Sequence, residues 1–292
     1  MSFEAIIAVA QYHWSKWQLR LHAAQEEIGQ LQLDRLHAFR TELEPYIYHY
    51  LIEQYGLRLN AVWENYIPPL KTDKAYVLVE RRAHPNYPFL LKMMAWAAPH
   101  LSVYLVCSDE NFEFIKEILG DKIEHFHIIV AYSGEVDRDQ GRAEYNQLLT
   151  DASFYEQIDA EYMVTMQMDV FLRRKLTDDL FCGDYWGAPW GWRQESAGGG
   201  GATIRCVQKM IEICKAERDD PLAPCKEGED SWIADRVQDF PSLDFRCAHI
   251  MESMPTEDPV IVHQFWTFLD NYDIQDRTQC TENMKRILTI HM

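Results

Sequence analysis

The sequence holds no apolar run near the roughly 18–20 residues that a membrane-spanning helix needs. Its first residues, Met1-Ser2-Phe3-Glu4, lack the basic segment of a secretory signal, and the apolar stretch from Ala5 to Ala10 is too short to act as one. None of the cysteines (Cys107, Cys182, Cys206, Cys214, Cys225, Cys247 and Cys280) stands in a Cys-x-x-Cys pair. Scattered and odd in number, they build neither a disulfide framework nor a structural zinc site, and a reduced, cytoplasmic setting is expected. Basic residues are scarce too: 28 Lys and Arg face 46 Asp and Glu, a net charge of -18. Such a surface repels phosphate backbones and anionic membranes, which disfavours nucleic-acid binding by a general basic face but leaves room for a local basic pocket. There is no internal repeat and no low-complexity tail.

What is present is ordinary globular composition, 47% hydrophobic and 25% charged over 292 residues, enough for one large domain with an appendage. Residues 1–70 are expected to form a helical extension and 71–292 the main domain. In the extension, apolar or small residues recur at Phe3, Ile7, Ala10, Trp14, Trp17, Leu21, Ala24, Ile28 and Leu31, in steps that alternate four and three. This is a heptad seam, flanked by Gln11, Gln18, Gln25 and Gln32. After Leu31 the phase slips to Leu36, Phe39 and Leu43, and Pro45 is a good first-turn residue for a second helix running to Gly56. Two readings stay open: a helical hairpin packed on its own domain, or a coiled coil that makes a homo-oligomer. Trp14 and Trp17 are bulky for a two-stranded coil, with Ala10 and Ala24 making room.

From Ala75 onward, short β-branched runs alternate with helical stretches. Strands are expected at Ala75–Val79, Ser102–Cys107, His127–Ala131 and Tyr162–Gln167, and helices at Pro88–Ala98, Asn111–Leu119 and Arg142–Ile158. This alternation predicts an α/β fold with a doubly wound, mostly parallel sheet, whose ligands bind beyond the carboxyl ends of the strands. After Asp169 the alternation stops, and a loop-rich aromatic half begins, with a strand-helix junction expected over Ala202–Cys214.

Polar residues at the strand ends are the candidates for chemistry. The strand from Tyr162 ends in Asp169, a carboxylate that cannot sit unpaired inside a sheet and could take a divalent cation or cap the next element. Arg142 and Asn146 share a helix face, so one could fork onto a phosphate while the other reads a base or ribose edge; a solvated face is the plainer reading. Glu229-Asp230 precedes an apparent helix start, where the dipole favours acids; as general base, either could take a proton from a hydroxyl. Trp186, Trp190 and Trp192 lie among glycines and proline, and an exposed ring there could stack on a sugar.

Several blocks in order carry a resemblance: Gly141-Arg142-x-x-Tyr145-Asn146, Gln167-Met168-Asp169, Asp184-Tyr185-Trp186-Gly187-Ala188-Pro189-Trp190, Gly198–Gly201 with Ala202-Thr203-Ile204-Arg205, Glu229-Asp230, and Val262-His263-Gln264-Phe265-Trp266. From about Tyr76 to Trp266 the chain resembles a little-characterised domain family grouped with glycosyltransferases of the GT-A fold. The resemblance implies a nucleoside diphosphate sugar as donor, a glycan or glycoconjugate hydroxyl as acceptor, and Mn²⁺ or Mg²⁺ held by Asp169 and His263. It places Val79, Glu80 and Arg81 at the nucleotide, together with Arg142, Asn146 and Gln167. It makes the glycine run, Gly199 and Gly200 above all, a wall along which a sugar approaches the backbone; without a following Gly-Lys-Ser/Thr it is no P-loop. Asp230, with Glu229 as substitute, is the implied base of an inverting transfer, and Trp190 or Trp192 the acceptor platform. Gln167 departs from the family's Asp-x-Asp pattern, and an amide is a poor ligand for a divalent cation. A non-catalytic nucleotide- or carbohydrate-binding module is the alternative, and a two-metal phosphoesterase a distant third. The transferase reading requires Asp169 and Asp230 to face one cleft, and fails if either is buried against a structural arginine with no cavity nearby.

Overall fold

A computed structural model describes residues 2–23, 28–217 and 228–292, with side chains described outside 19–36 and residue 217. The seam positions from Leu21 to Leu31, the flanking Gln25 and Gln32, the side chain of Leu36, and residues 218–227 of the charged loop with Cys225 lie outside that description.

The front consists of α1 (Phe3–Ala23) and α2 (Ile28–Glu64), which pack on one another. On α1, Phe3, Ile7, Ala10 and Trp17 of the expected seam are buried, facing α2 and the C-terminal helix of the same chain. The second helix does not begin at Pro45 or stop at Gly56; it runs through both. An internal proline costs a helix about 3 kcal/mol. Leu43, Ile47, Tyr48 and Leu51 flank it on one face and are at most 2% exposed. At roughly 1.5–3 kcal/mol for each buried apolar side chain, tertiary burial outweighs the break.

The rear follows the order β1 (Lys74–Val79), α3 (Tyr87–Ala97), β2 (Ser102–Ser108), α4 (Asp109–Leu119), β3 (His127–Tyr132), α5 (Arg138–Leu148), α6 (Ala152–Tyr155) and β4 (Tyr162–Met166). Ser108 caps α4 through a reciprocal box with Asn111. The long helix expected from Arg142 to Ile158 is two helices. The Thr150 hydroxyl donates back to the Asn146 carbonyl, and Asp151 accepts the amide of Ser153, so these side chains offer the backbone a turn in place of a helix.

The second half contributes β5 (Val170–Leu172), β6 (Tyr185–Ala188), β7 (Gly199–Cys206), α7 (Val207–Glu217), α8 (Glu229–Ala234), α9 (Leu243–His249), β8 (Ile250–Met251), β9 (Ile261–His263) and α10 (Arg277–Ile287). The main sheet has the order β3-β2-β1-β4-β7-β6, with β7 antiparallel to both neighbours and the other strands parallel; β5-β9-β8 form a small second sheet. The fold is thus the expected α/β arrangement with a mostly parallel sheet. Side chains alternate across it: Tyr76 and Leu78 of β1 join the core beneath α2, α3 and the small sheet, whereas Ala75, Val77 and Val79 join that beneath α6 and α7. The front helices share the first of these cores, where the Tyr48 ring meets Phe89 and Trp266 edge-on and its hydroxyl donates to the Val170 carbonyl. No described helix is long and apolar enough to cross a membrane. The six described cysteines are free thiols.

Candidate active site

Strand order reverses between β1 and β4, and crevices form at the carboxyl ends of strands on either side of such a switch. β4 delivers Gln167-Met168-Asp169 there, with the Gln167 amide donating to the Gly201 carbonyl at 2.8 Å. The glycine run is not a flexible loop: Gly199, Gly200 and Gly201 begin β7. Their lack of side chains serves the protein's own groups. A Cβ on Gly199 would lie 2.6 Å from Trp190 and 2.7 Å from Asp230, and one on Gly201 would lie 2.4 Å from the His263 ring. Gly200 has φ +91, a conformation that favours glycine, and faces Glu252 and His263.

Three side chains therefore converge on bare backbone. The Gly200 amide donates to Asp230 Oδ2 at 3.1 Å, and the Gly201 amide points at His263 Nδ1, also at 3.1 Å. On the far side of the ring, His263 Nε2 lies 3.3 Å from Asp169 Oδ1. Glu252 Oε2 is 3.4 Å from Nδ1. Burial works against a charged imidazole, but Asp169 and Glu252 outweigh it and push the His263 pKa up to about 9. Burial likewise works to raise the Asp169 carboxyl, yet His263 and Arg40 hold it well below the usual carboxylate range.

Arg40, from α2, places Nη2 2.6 Å from Asp169 Oδ2. Four residues on, Glu44 accepts from Asn86 at 2.9 Å; burial and then the Asp169 charge push its pKa up to about 7. Neither Arg40 nor Glu44 nor Glu252 stands out in the sequence. A basic and an acidic residue at helical spacing beside a buried face, as Arg40 and Glu44 are, is the one local signal, and many solvated helices share it.

Asp169 Oδ1 and His263 Nε2 are buried, lack well-aligned hydrogen-bond partners, and are close enough to share an ion. Against a divalent cation stand the ring proton, which the Gly201 amide on Nδ1 leaves on Nε2, and the guanidinium on the other carboxylate oxygen. Among the described residues no third acidic, His or Cys side chain completes a metal-holding group. Neither facing atom is free to ligate, so the donor set does not fit a divalent ion as it stands.

The remaining candidates divide. Asp230 is half-buried, with its carboxylate on the glycine strand. Glu229 is 5% exposed and pairs with the fully buried Arg205 at 3.2 Å, so the expected substitute base is engaged in the core. Burial and the Asp230 charge nevertheless raise its pKa to about 7. Asn146 accepts the Glu229 amide at 3.3 Å, and the Gln167 side-chain amide donates to the Tyr145 hydroxyl at 3.1 Å. Arg142 is exposed. Glu80 clamps the Arg82 guanidinium, and Arg81 pairs with Glu144 and donates to the Gly134 carbonyl, so after Val79 the side chains serve each other. Trp186 is core, Trp190 is 5% exposed, and Trp192 stacks on Trp190 with 69% of its surface exposed. A cavity of 270 Å³ lies at the opposite edge of the sheet, between residues 71–73, 155–161 and 207–211.

A family model described as a protein of unknown function (DUF5672) matches residues 136–255, which include Asp169, the glycine strand and Asp230 but neither Arg40 nor His263. Comparison with curated proteins finds no match. Among solved structures, the chain is similar to the glycosyltransferase GlyE of Streptococcus pneumoniae TIGR4, with 15% identity, 75% of this chain and 64% of that one covered, and a TM-score of 0.43. The chain thus spans less than two thirds of GlyE. It is similar also to mouse xyloside xylosyltransferase 1, with 10% identity, 66% of this chain and 97% of that one covered, and a TM-score of 0.44. At these values the likenesses add nothing to the fold beyond what the strand order gives.

Proposed function

We propose that the protein is a glycosyltransferase that moves a hexosyl or pentosyl group from a nucleoside diphosphate sugar to a hydroxyl of a glycan or glycoconjugate, with inversion. The observation that supports this reading is that consecutive amides of β7 meet two of the candidate groups, Gly200 the carboxylate of Asp230 and Gly201 the ring of His263, which in turn meets Asp169. In the proposed step the acceptor oxygen attacks the anomeric carbon as its proton passes to Asp230. The bond from that carbon to the diphosphate oxygen breaks, and its electron pair leaves with the diphosphate. Trp192, exposed and stacked on Trp190, offers a face to the acceptor sugar. A form of the reaction assisted by Mn²⁺ or Mg²⁺ on Asp169 and His263 would need the ring to lose its proton and Arg40 to give way.

The second reading, a non-catalytic nucleotide- or carbohydrate-binding module, is favoured by one observation: Asp169 is buried and already neutralised by Arg40 and His263. Screening a panel of nucleotide sugars for release of the nucleotide, with and without a glycan acceptor, separates the two. Release that depends on acceptor and vanishes in Asp230→Asn supports the transferase; tight binding of every donor without release supports the module.

A further inference from the structure

Asp169 is 4% exposed and the Arg40 side chain 38%, so the arginine is anchored on a buried carboxylate while part of it reaches solvent. A guanidinium carries five N–H donors. Among the described residues Asp169 is the one acceptor that Arg40 meets, through one of those donors. The helix holds it there on both sides. Three residues before, His37 Nδ1 lies 3.3 Å from Arg138 at the start of α5, and four residues after, Glu44 is tied to Asn86, which also donates to the Met168 carbonyl. Positions 37, 40 and 44 lie on one helical face, so α2 bridges the carboxyl edge of the sheet with Arg40 in the middle.

Three other cations at this edge are already occupied. Arg82 is clamped by Glu80, Arg81 by Glu144, and His263 sits between two carboxylates with 2% of its surface exposed. An anion reaching a chain of net charge -18 needs a local positive group, and a doubly charged leaving group needs it most when its bond breaks. An arginine already oriented by a buried carboxylate loses little freedom on binding, and its planar fork matches phosphate oxygens.

We infer that Arg40 is the phosphate-binding cation of this site, receiving the diphosphate of the ligand where a metal-dependent enzyme would use a divalent ion, and that the helical front is therefore part of the substrate site. The inference rests on the transferase reading only for the nature of the ligand, a nucleoside diphosphate.

The test is calorimetry on the full chain in EDTA with inorganic pyrophosphate as the probe, for the parent protein, Arg40→Gln and Arg40→Lys, each checked for folding by thermal unfolding. The parent is expected to bind without metal, Arg40→Gln to bind at least about tenfold more weakly, and Arg40→Lys, which keeps the charge without the fork, to fall between. Should Arg40→Gln not fold, a loss of about threefold or more in Arg40→Lys carries the same conclusion. Binding by Arg40→Gln equal to the parent, binding that appears only when Mn²⁺ replaces EDTA, or no binding in either condition overturns the inference. Pyrophosphate binding that depends on Arg40, in a protein that releases no nucleotide from any sugar donor, keeps this inference and removes the transferase. Turnover that survives Arg40→Gln does the reverse.

Discussion

Glu229 and Asp230 are adjacent in the chain but sorted into different surroundings: Glu229 is buried in an ion pair with Arg205, and Asp230 accepts the Gly200 amide at the edge of the sheet. The division follows from the first turn of α8, where successive side chains diverge by about 100° around the axis. It separates a residue that anchors the turn from one that can meet a substrate.

Asp230→Asn is therefore expected to lower nucleotide release by roughly 100-fold or more, the usual worth of a positioned general base. Binding of the nucleoside diphosphate should stay within about threefold, because the amide keeps the Gly200 contact. Steady-state rates set against calorimetry provide the comparison, and parallel loss of rate and binding would take the base assignment away from Asp230.

Glu229 makes stability depend on pH. Its folded pKa is raised from 4.5 to about 7, so the folded chain holds this proton more tightly than the unfolded chain. The resulting stability is complete below pH 4.5 and is lost as the pH rises through about 7, and Glu44, also raised to about 7, acts in the same window. For Glu229 the change is on the order of 3 kcal/mol, at 1.4 kcal/mol per unit. Urea midpoints measured between pH 4.5 and 7.5 should fall, and should fall less steeply in Glu229→Gln; equal slopes would mean that Glu229 is not buried in this way.

Gly201→Ala puts a methyl group 2.4 Å from the His263 ring, which is 2% exposed and has nowhere to retreat. A loss of about 1–3 kcal/mol is expected, the range for forcing a group into a packed interior. Thermal unfolding reads it directly. An unchanged melting temperature would place the imidazole elsewhere.

Trp192→Ala should leave the melting temperature nearly unchanged, since the ring is 69% exposed. If the ring stacks on the acceptor, the KM for acceptor should rise about threefold to tenfold with the KM for donor unaltered, which matches the roughly 0.5–1.5 kcal/mol of an aromatic contact. Equal acceptor KM values in the two proteins would remove Trp192 from the acceptor site.

The strands were legible because their signal is local. Buried β-branched runs such as Ala75–Val79 read as strands from their own composition, and each is followed by a polar turn that marks the carboxyl edge. Asp169 stood out as a carboxylate ending an apolar segment, whereas Asp230 and His263 gained their roles through the resemblance. The break in the helix at Thr150 and Asp151 and the passage of α2 through Pro45 were less legible. In the first, two side-chain hydrogen bonds compete with the helix; in the second, burial on both sides of the proline overrides a local breaker.

By itself, then, the sequence determined the alternating strands of residues 75–167 and the carboxylate at the end of the last of them, because hydrophobic periodicity acts over neighbouring residues. Only the tertiary structure decided how those residues are charged and used. Arg40 and Asp169 are 129 residues apart, and nothing in either segment specifies the other. Their pairing exists because α2 buries its apolar face on the sheet and, in doing so, lays its polar face across the end of β4.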